Sequence, residues 1–210
     1  MSVPLLSIAD ATAALRRGAI VAYPTETFYG LGAIPSNHEA LEHLVSAKRR
    51  DQRKPISLIL GRTESLSLVA CALTPSILRL IALAWPGPLT VVLPARPDVD
   101  AIITGGTETV AARVPSHAEA RVLADAVGGA ITATSANRQG EAPPTTADEV
   151  RVQFAEGELG GIVSGEPTAG GSPSTLVHPR GRQLLIVRRG VIGPEKLREW
   201  WSGDVVEGPG

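Results

Sequence analysis

A chain of 210 residues with 43% hydrophobic side chains can bury one core, so we expect a single folded domain and not a disordered protein. The formal net charge of −1 argues against a dedicated nucleic-acid binder, and the 3% aromatic content leaves few rings on which bases could stack. Cys71 is the single cysteine, which excludes an internal disulfide or a thiolate zinc cluster and fits a cytoplasmic location.

The chain also lacks the patterns of a secreted or membrane protein. No apolar run approaches the roughly 18 residues that a membrane span requires. The first residues have no basic segment ahead of an apolar run and no cleavage site of small residues. We therefore expect no membrane partner.

Helices and strands alternate in the first half of the chain. The predicted elements are a helix over 7–18, a strand over 19–23, a helix from Ser36 to Lys48, a strand over 56–60, and helices over 63–72 and 74–84. Ser7 with Asp10 and Ser36 with Glu39 have the spacing of residues that cap helix starts. Cys71 is expected to pack inside the helix over 63–72.

The second half continues this alternation less regularly. Its predicted elements are strands over 89–94 and 109–114, a helix over 116–128, a strand over 130–134, a helix from Thr146, strands over 161–164, 175–178 and 183–187, and a helix from Pro194. Such an order is typical of an α/β fold in which helices pack on the faces of a twisted mixed β-sheet. The domain is expected over 1–201, with a flexible tail, rich in glycine and acid, over 202–210.

Common nucleotide-binding and hydrolase motifs are absent from the sequence. It contains no G-x-x-x-x-G-K-[ST], G-x-G-x-x-G or G-x-S-x-G, so a nucleotide site would be of another kind. The four histidines lack the spacing of a metal site. Polar segments follow the predicted strands, where open α/β sheets bind ligands, and could face one cleft. These segments are 24–32, 48–55, 109–113, 134–137, 172–175 and 188–190.

Seven segments are distinctive as a set: YPTETFYGLG, AKRRDQRKP, WPGPLTVVLP, TVAARVP, TSAN, GSPSTLV and VRRG. In order and rough spacing they resemble the YrdC-like family, the L-threonylcarbamoyladenylate synthases, over residues 13–197. The resemblance implies a YrdC-like catalytic domain over 1–201 with a concave basic cleft, in the short, single-domain form. It also implies a nucleotidyltransferase that makes threonylcarbamoyl-AMP and pyrophosphate from L-threonine, bicarbonate and ATP for tRNA modification. Its further partners would be tRNA or tRNA-modification proteins.

The site residues follow from this resemblance and from the chemistry of the reaction. Attack on the α-phosphate requires neutralised charge and alignment more than a nucleophilic side chain. Arg113 ends a predicted strand and has the forked donors that suit an α-carboxylate. Lys48 and Arg50 are expected to be catalytic. ATP is assigned to Lys48, Arg50, Thr109, Ser135, Asn137 and Arg188, and threonine to Thr25, Arg113 and Ser174. Mg²⁺ is expected to arrive with the phosphates, and no metal is expected to be held by the protein alone.

Other interpretations stay open at the level of the sequence. Lys48 and Arg50 could be ordinary cations at a helix C-terminus, and Thr25 could only satisfy turn backbone. Asp51 stands where the family commonly has proline, which leaves the conformation of 48–55 open. The chain could also be an RNA-binding module without catalysis, or it could adenylate another carbamoyl compound.

Overall fold

Residues 2–208 of the chain are described by a computed structural model. Their α-helices are α1 (Ile8–Arg16), α2 (His38–Lys48), α3 (Pro75–Ala84), α4 (Ala101–Thr104), α5 (Ala118–Ala126), α6 (Ala147–Gln153) and α7 (Pro194–Trp200). Their strands are β1 (Leu5–Leu6), β2 (Val21–Tyr23), β3 (Gly30–Gly32), β4 (Leu58–Leu60), β5 (Leu89–Pro94), β6 (Thr109–Arg113), β7 (Ala130–Thr132), β8 (Thr134–Ser135), β9 (Gly161–Val163), β10 (Thr175–Arg180), β11 (Gln183–Arg188) and β12 (Asp204–Glu207). No helix among these residues is long and apolar enough to cross a membrane.

The strands form two mixed sheets. One has the strand order β1-β9-β2-β3-β8, and the other has the order β12-β11-β10-β5-β6-β4-β7. Parallel and antiparallel pairs occur in both sheets. The predicted mixed α/β fold is confirmed, but its strands are divided between two sheets. The strand predicted over 130–134 shows the division, because it splits at Ala133 into β7 of one sheet and β8 of the other.

Thr132 joins the two sheets. This residue of β7 is fully buried, and its hydroxyl donates to the carbonyl of Leu31 at 2.9 Å and accepts from the N–H of Ala33 at 2.8 Å. Its own N–H donates to the carbonyl of Ala33 at 3.0 Å, and its carbonyl accepts from the hydroxyl of Tyr23 at 2.7 Å. Its partners belong to β2, to β3 and to the residue after β3, so these four bonds bind one sheet to the other.

Helices cover the sheets with their apolar faces. α1 and α5 contact each other, and Leu15 and Leu123 from these helices pack with Ile131 of β7 in one buried cluster. α2 and α3 bury Leu41 and Leu80 in the larger core. Each fully buried leucine of this kind stabilises the fold by about 1.5–3 kcal/mol, so the helices are held mainly by these faces.

Side-chain caps fix several helix starts, among them those of α1 and α2. Ser7 caps α1 as predicted, since its Oγ accepts from the N–H of Asp10 at 3.2 Å. In α2 the cap is Asn37 and not Ser36, because Asn37 Oδ1 accepts from the N–H of Ala40 at 3.1 Å. Both residues are good cap formers, and the sequence alone did not decide between neighbours.

The helix predicted over 63–72 is shorter and tighter than expected. The structure has a 3₁₀ helix over Thr63–Leu68, and the chain beyond it turns toward β5. Cys71 therefore lies outside a helix and is exposed, with its Sγ donating to the carbonyl of Ala95 at 3.3 Å. The prediction that this thiol packs inside a helix was wrong.

Part of the predicted flexible tail is a strand. Asp204–Glu207 form β12, which pairs in parallel with β11 from Gln183 to Ile186. The two adjacent valines favour a strand, and the acidic residues that flank them suit the edge of a sheet, whereas the glycines around this segment suggested a loop. The last two residues of the predicted tail, and Met1 of the predicted domain, lie outside the described residues.

Replacing Thr132 by valine should weaken the junction between the sheets. Valine keeps the shape but leaves the carbonyl of Leu31 and the N–H of Ala33 without their side-chain partner. We expect the free energy of unfolding to fall by about 2 kcal/mol or more, because buried unpaired groups cost about 1–3 kcal/mol each. Urea unfolding measures this. Thr132→Ser keeps the hydroxyl and should lose only about 1 kcal/mol; equal losses in the two variants would contradict the role of the hydroxyl.

Candidate active site

A cavity of about 490 Å³ lies where the polar segments of the chain converge. Its volume falls in the range of small-molecule sites, which is roughly 300–1,000 Å³. Its walls come from both sheets, for example from Gly30 of β3 and Thr90 of β5. Three lining residues are arginines, and none of the described residues that line it is acidic. The cavity therefore favours an anionic ligand.

Most of the predicted site residues meet in this cavity. Six of them line it: Thr25, Arg50, Arg113, Ser135, Ser174 and Arg188. Three of them do not: Lys48, Thr109 and Asn137. The convergence was expected, since polar residues at strand ends meet at one edge of an α/β sheet.

Arg113 is the most enclosed cation of the cavity. It ends β6, between β4 and β5, and its side chain is only 8% exposed. Its Nη1 donates to Oε1 of Glu26, whose side chain is 15% exposed. The other carboxylate oxygen of Glu26 is buried without a hydrogen-bond partner. Arg113 therefore enters the cavity as half of an ion pair.

Arg188 is anchored to neutral groups. It ends β11, and its Nη2 donates to the carbonyl of Ser174 at 2.9 Å and to the Oγ of Ser174 at 3.1 Å. That hydroxyl lies 2.9 Å from Oγ1 of Thr90. Burial and then the charge of Arg113 lower the pKa of Arg188. The charge of Arg113 thus disfavours the charged form of Arg188, and an anion bound between them would offset this effect.

Arg50 enters from the turn after α2. Arg49 takes a left-handed conformation at the end of α2, with φ 52°, and turns the chain toward the cavity. The Nη2 of Arg50 then donates to the carbonyl of Pro55 at 2.9 Å. Burial lowers the pKa of Arg50. The guanidinium is thus held by the loop that it starts, at the cavity wall.

Asp51 organises the loop in which the family commonly has proline. Its Oδ1 accepts from the N–H of Arg53 at 3.0 Å, and its carboxylate pairs with the Arg53 guanidinium at 2.9 Å. Hydrogen bonds from Arg53 lower the pKa of Asp51 to about 2. The carbonyl of Asp51 also accepts from the N–H of Lys54 at 3.1 Å. A side-chain turn thus replaces the restraint that a proline would give.

Two threonine hydroxyls line the cavity after β2. Thr25 and Thr27 are buried, and their Oγ1 atoms lie 3.2 Å apart. Oγ1 of Thr25 donates to the carbonyl of Phe28 at 2.8 Å, which fixes the turn. Thr25 therefore has both the turn role and the cavity position that the sequence left as alternatives.

Lys48 is an interior tether and not a cation exposed at the end of a helix. It is buried, and its Nζ donates to the carbonyls of Ser135 and Asn137. Burial and then the charge of Arg50 lower its pKa to about 7. Lys48 thus fixes the segment that carries Ser135 into the cavity, and its own side chain does not line the cavity.

The side chain of Asn137 also bonds to the backbone of the protein and does not line the cavity. Its Nδ2 donates to the carbonyl of Arg138 at 2.9 Å and to that of Glu141 at 2.8 Å. Its Oδ1 is buried without a hydrogen-bond partner. The amide therefore fixes the loop after β8, while its oxygen keeps an unused acceptor.

Arg138, which the sequence analysis did not select, fastens the same loop. Its Nη1 donates to the carbonyl of Ala47 at 2.8 Å, and its Nη2 donates to both carboxylate oxygens of Glu158 at 2.7 and 2.8 Å. The guanidinium carbon lies 5.3 Å from the centroid of the Phe154 ring. These contacts tie the loop to the end of α2. No short motif in the sequence marks this role.

Thr109 lies away from the cavity. It starts β6, whereas Arg113 ends it, and four steps along a strand span about 13 Å. Its hydroxyl lies 3.0 Å from Oγ1 of Thr107, at the opposite end of the strand. The assignment of Thr109 to ATP therefore receives no support from its position, and we leave it out of the proposed site.

Several lining hydroxyls were missed. They belong to Thr27, Tyr29, Ser57, Thr90 and Thr134. A signal existed for Thr90, because alternation in β5 places it on the face opposite Leu89 and Val91, which are fully buried in the core. No comparable periodicity marks the loop residue Ser57, whose position depends on the fold.

Residues 13–190 match the profile of the Sua5/YciO/YrdC family, which is described as telomere recombination. The chain belongs to this family. A threonylcarbamoyl-AMP synthase of Alkalilimnicola ehrlichii is 41% identical over 177 residues, which cover 82% of this chain and 91% of the relative. The synthase of that name from Bacillus subtilis is 37% identical over 191 residues, which cover 90% of this chain and 55% of the relative.

Solved structures of Sua5/YciO/YrdC proteins share the fold. P. abyssi Sua5 in complex with L-threonine has a TM-score of 0.90 and 34% identity, and the match covers 95% of this chain and 58% of Sua5. E. coli YciO has a TM-score of 0.81 and 24% identity over 90% of this chain and 91% of YciO. The chain thus spans just over half the length of the Sua5 structure, and the YrdC-like fold is confirmed.

The buried Lys48 should make stability depend on pH. Its pKa is about 7 in the fold, whereas the ordinary pKa of lysine is 10.5, so above pH 7 the folded state binds fewer protons than the unfolded state. Its contribution to stability should rise with pH toward 10.5, at up to about 1.4 kcal/mol per pH unit, and be lost as pH falls through 7.

Urea unfolding of the natural protein and of Lys48→Met at pH 6 to 10 measures this contribution. The difference in unfolding free energy between them should be flat below pH 7 and should grow in favour of lysine above it. Parallel pH profiles for the two proteins would contradict the lowered pKa.

Proposed function

We propose that this chain makes threonylcarbamoyl-AMP and pyrophosphate from L-threonine, bicarbonate and ATP, and that the cavity is its active site. The observation that carries the proposal is the convergence of Arg50, Arg113 and Arg188 in one cavity without a described acidic lining residue. Similar relatives that bear the name threonylcarbamoyl-AMP synthase, and Sua5 in complex with L-threonine, support it. The enzyme is then a nucleotidyltransferase.

The reaction makes two bonds in sequence. The amine of threonine attacks the carbon of bicarbonate and, with loss of water, gives a carbamate. A carbamate oxygen then attacks the α-phosphorus of ATP, the bond to the bridging oxygen breaks, and pyrophosphate leaves. Since the reactants are anions, the protein's main tasks are to align them and to offset their charge.

Arg50 and Arg188 are the proposed phosphate contacts. Each is held at the cavity wall through donation to backbone carbonyls, so each arrives oriented. Forked guanidinium donors match phosphate oxygens in geometry and charge. Desolvation lowers the pKa of both arginines, and the charge of Arg113 lowers that of Arg188 further, so bound phosphates would favour the charged forms of both.

Lys48, Ser135 and Asn137 form the proposed support for the adenylate. Ser135 presents its side chain to the cavity, and Lys48 holds the carbonyls of Ser135 and Asn137 from behind. The buried free Oδ1 of Asn137 is an acceptor that a small rotation would offer to the ligand. In this arrangement Lys48 acts by holding the segment that carries Ser135. To contact a phosphate directly, its Nζ would have to leave the carbonyls of Ser135 and Asn137.

Arg113, Thr25 and Ser174 form the proposed threonine site. Arg113 is the deepest cation of the cavity, and Thr25 and Ser174 add hydroxyls around it. A guanidinium can bind an α-carboxylate through two parallel donors, which fixes the direction of the amino group as well. The hydroxyls provide partners for the remaining polar groups of threonine.

Magnesium enters the proposal with ATP. The described lining residues offer hydroxyls but no carboxylate, and the nearby Glu26 is paired with Arg113. Because Mg²⁺ in nucleotide sites is usually held by phosphates with few protein carboxylates, this lining fits an ion that the phosphates carry. The ion would supply further neutralisation of phosphate charge.

The other interpretations are less favoured. An RNA-binding module does not account for a cavity of small-molecule size, and the curated relatives reported above bear the name threonylcarbamoyl-AMP synthase, which favours threonine over another carbamoyl compound. Use of the product in threonylcarbamoyladenosine modification of tRNA is part of this proposal. Direct contact with tRNA or with tRNA-modification proteins, and a cytoplasmic location, remain predictions.

Pyrophosphate release tests the proposed reaction. With ATP and Mg²⁺ present, release should require both L-threonine and bicarbonate, because the attacking carbamate contains both. A coupled pyrophosphate assay that omits each component in turn measures this, and mass spectrometry identifies the adenylate. Equal turnover without threonine, or with another amino acid in its place, would contradict the assignment of the substrate.

Replacing Arg113 by lysine should weaken threonine binding. Lysine keeps the charge but lacks two parallel donors, and losing one charge-assisted hydrogen bond corresponds to a Kd about tenfold to a hundredfold higher. The Kd of ATP should change much less, since Arg50 and Arg188 remain. Isothermal titration of each ligand measures both. Normal threonine binding combined with loss of ATP binding would place Arg113 on the nucleotide.

A further inference from the structure

Glu26 is an acidic residue that the proposed reaction has not used. It stands between Thr25 and Thr27, which line the cavity, but Glu26 itself does not line it. Its carboxylate accepts from Nη1 of the Arg113 guanidinium. Both side chains of the pair are largely buried, with exposures of 15% and 8%. The carboxylate thus contacts the cavity only through Arg113.

The pair differs from a structural ion pair in the same protein. Arg138 meets both oxygens of Glu158, at 2.7 and 2.8 Å, and uses its other nitrogens on backbone carbonyls. Glu26 gives Arg113 one oxygen only, and its Oε2 is buried without a partner. Such an oxygen destabilises the fold, so the pair is not arranged for maximum stability.

The single contact leaves most of Arg113 free for a ligand. Within residues 2–208, Glu26 is the side chain to which Arg113 donates, and it occupies Nη1. Among the described residues, no nitrogen of Arg113 is both fully buried and without a hydrogen-bond partner. Since Arg113 lines the cavity, its remaining N–H groups are accessible to a ligand there. A guanidinium held on one side thus presents its other donors in a fixed direction.

The positive charge of the cavity gives a second reason for a carboxylate next to Arg113. The guanidiniums of Arg50, Arg113 and Arg188 line one cavity, and none of the described lining residues is acidic. Repulsion would push a mobile guanidinium out of this cavity. A largely buried carboxylate that pairs with Arg113 but does not line the cavity attracts the guanidinium to its place without occupying the space in which an anion would lie.

We infer that Glu26 is a positioning residue that orients Arg113 toward the α-carboxylate of the amino-acid substrate. This inference rests on the proposed function, in which Arg113 binds threonine. Removing the charge of Glu26 should have opposite effects on the two ligands. Threonine should bind more weakly because Arg113 is no longer oriented. ATP should bind as well as before or more tightly, because the cavity becomes more positive.

Isothermal titration of L-threonine and of ATP into matched variants tests this role. Glu26→Gln should raise the Kd of threonine about tenfold, the loss expected for one charge-assisted contact, without raising the Kd of ATP. Glu26→Asp keeps the charge at a shorter reach and should give an intermediate Kd for threonine. Glu199→Gln removes an exposed carboxylate that pairs with Lys196, and it should match the natural protein.

A double-mutant cycle separates positioning from general damage. If Glu26 acts through Arg113, adding Glu26→Gln to Arg113→Lys should weaken threonine binding much less than Glu26→Gln does alone. Additive losses, or equal weakening of both ligands with a lower Tm, would show a merely structural role and overturn the inference. Tighter threonine binding by Glu26→Gln would show that Glu26 competes for Arg113, and would overturn it too.

The same titrations distinguish this inference from the proposed function. If the natural protein binds threonine and Glu26→Gln binds it equally well, only the role of Glu26 fails. If the natural protein does not bind threonine, the proposed function fails, and the role of Glu26 fails with it. Should Glu26→Gln not fold, Glu26→Asp in the natural and Arg113→Lys backgrounds gives the same cycle.

Discussion

The hydroxyl of Thr132 sets the geometry on which the cavity depends. Thr132 uses its hydroxyl and its main chain to bind β7 of one sheet to β3 of the other sheet and to the residue that follows β3. One cavity wall comes from the five-stranded sheet, with Gly30 and Ser135. Another wall comes from the seven-stranded sheet, with Thr90 and Arg113. Four hydrogen bonds at one residue thus fix the relative position of groups that must meet the same ligand.

Electrostatics explains why these groups are held so closely. Three guanidiniums in one cavity repel one another, and each is restrained by a partner of its own: the carbonyl of Pro55, the carboxylate of Glu26, and the carbonyl and hydroxyl of Ser174. Lys48 does not line the cavity, and its Nζ donates to two carbonyls. The cations are thus held in place before an anion binds. Such preorganisation is what phosphate-transfer reactions require.

The sequence predicted the fold class, and six of the nine predicted site residues line the cavity, because these features depend on local pattern or on strand ends. Thr109 was predicted to contact ATP but lies at the end of β6 away from the cavity, and a motif does not tell which end of its strand points to the cavity. Lys48 was predicted as a free cation because helix position carries no information about the carbonyls that bury it. Glu26 and Arg138 escaped notice since their roles arise from partners 87 and 20 residues away in the chain. Tertiary contacts, and not spacing, decided these cases.

The position of the cavity between the two sheets also links binding to folding. Arg50, Arg113 and Arg188 are distant in the chain and belong to different elements, so no fragment of the fold contains the complete site. A ligand that needs all three binds only to the fully joined molecule and adds about 2.7 kcal/mol to its stability at a concentration one hundred times its Kd. If the substrates bind in this cavity as proposed, saturation with them suppresses partial openings that would separate the sheets, and the substrates act as a cross-link between the halves of the protein.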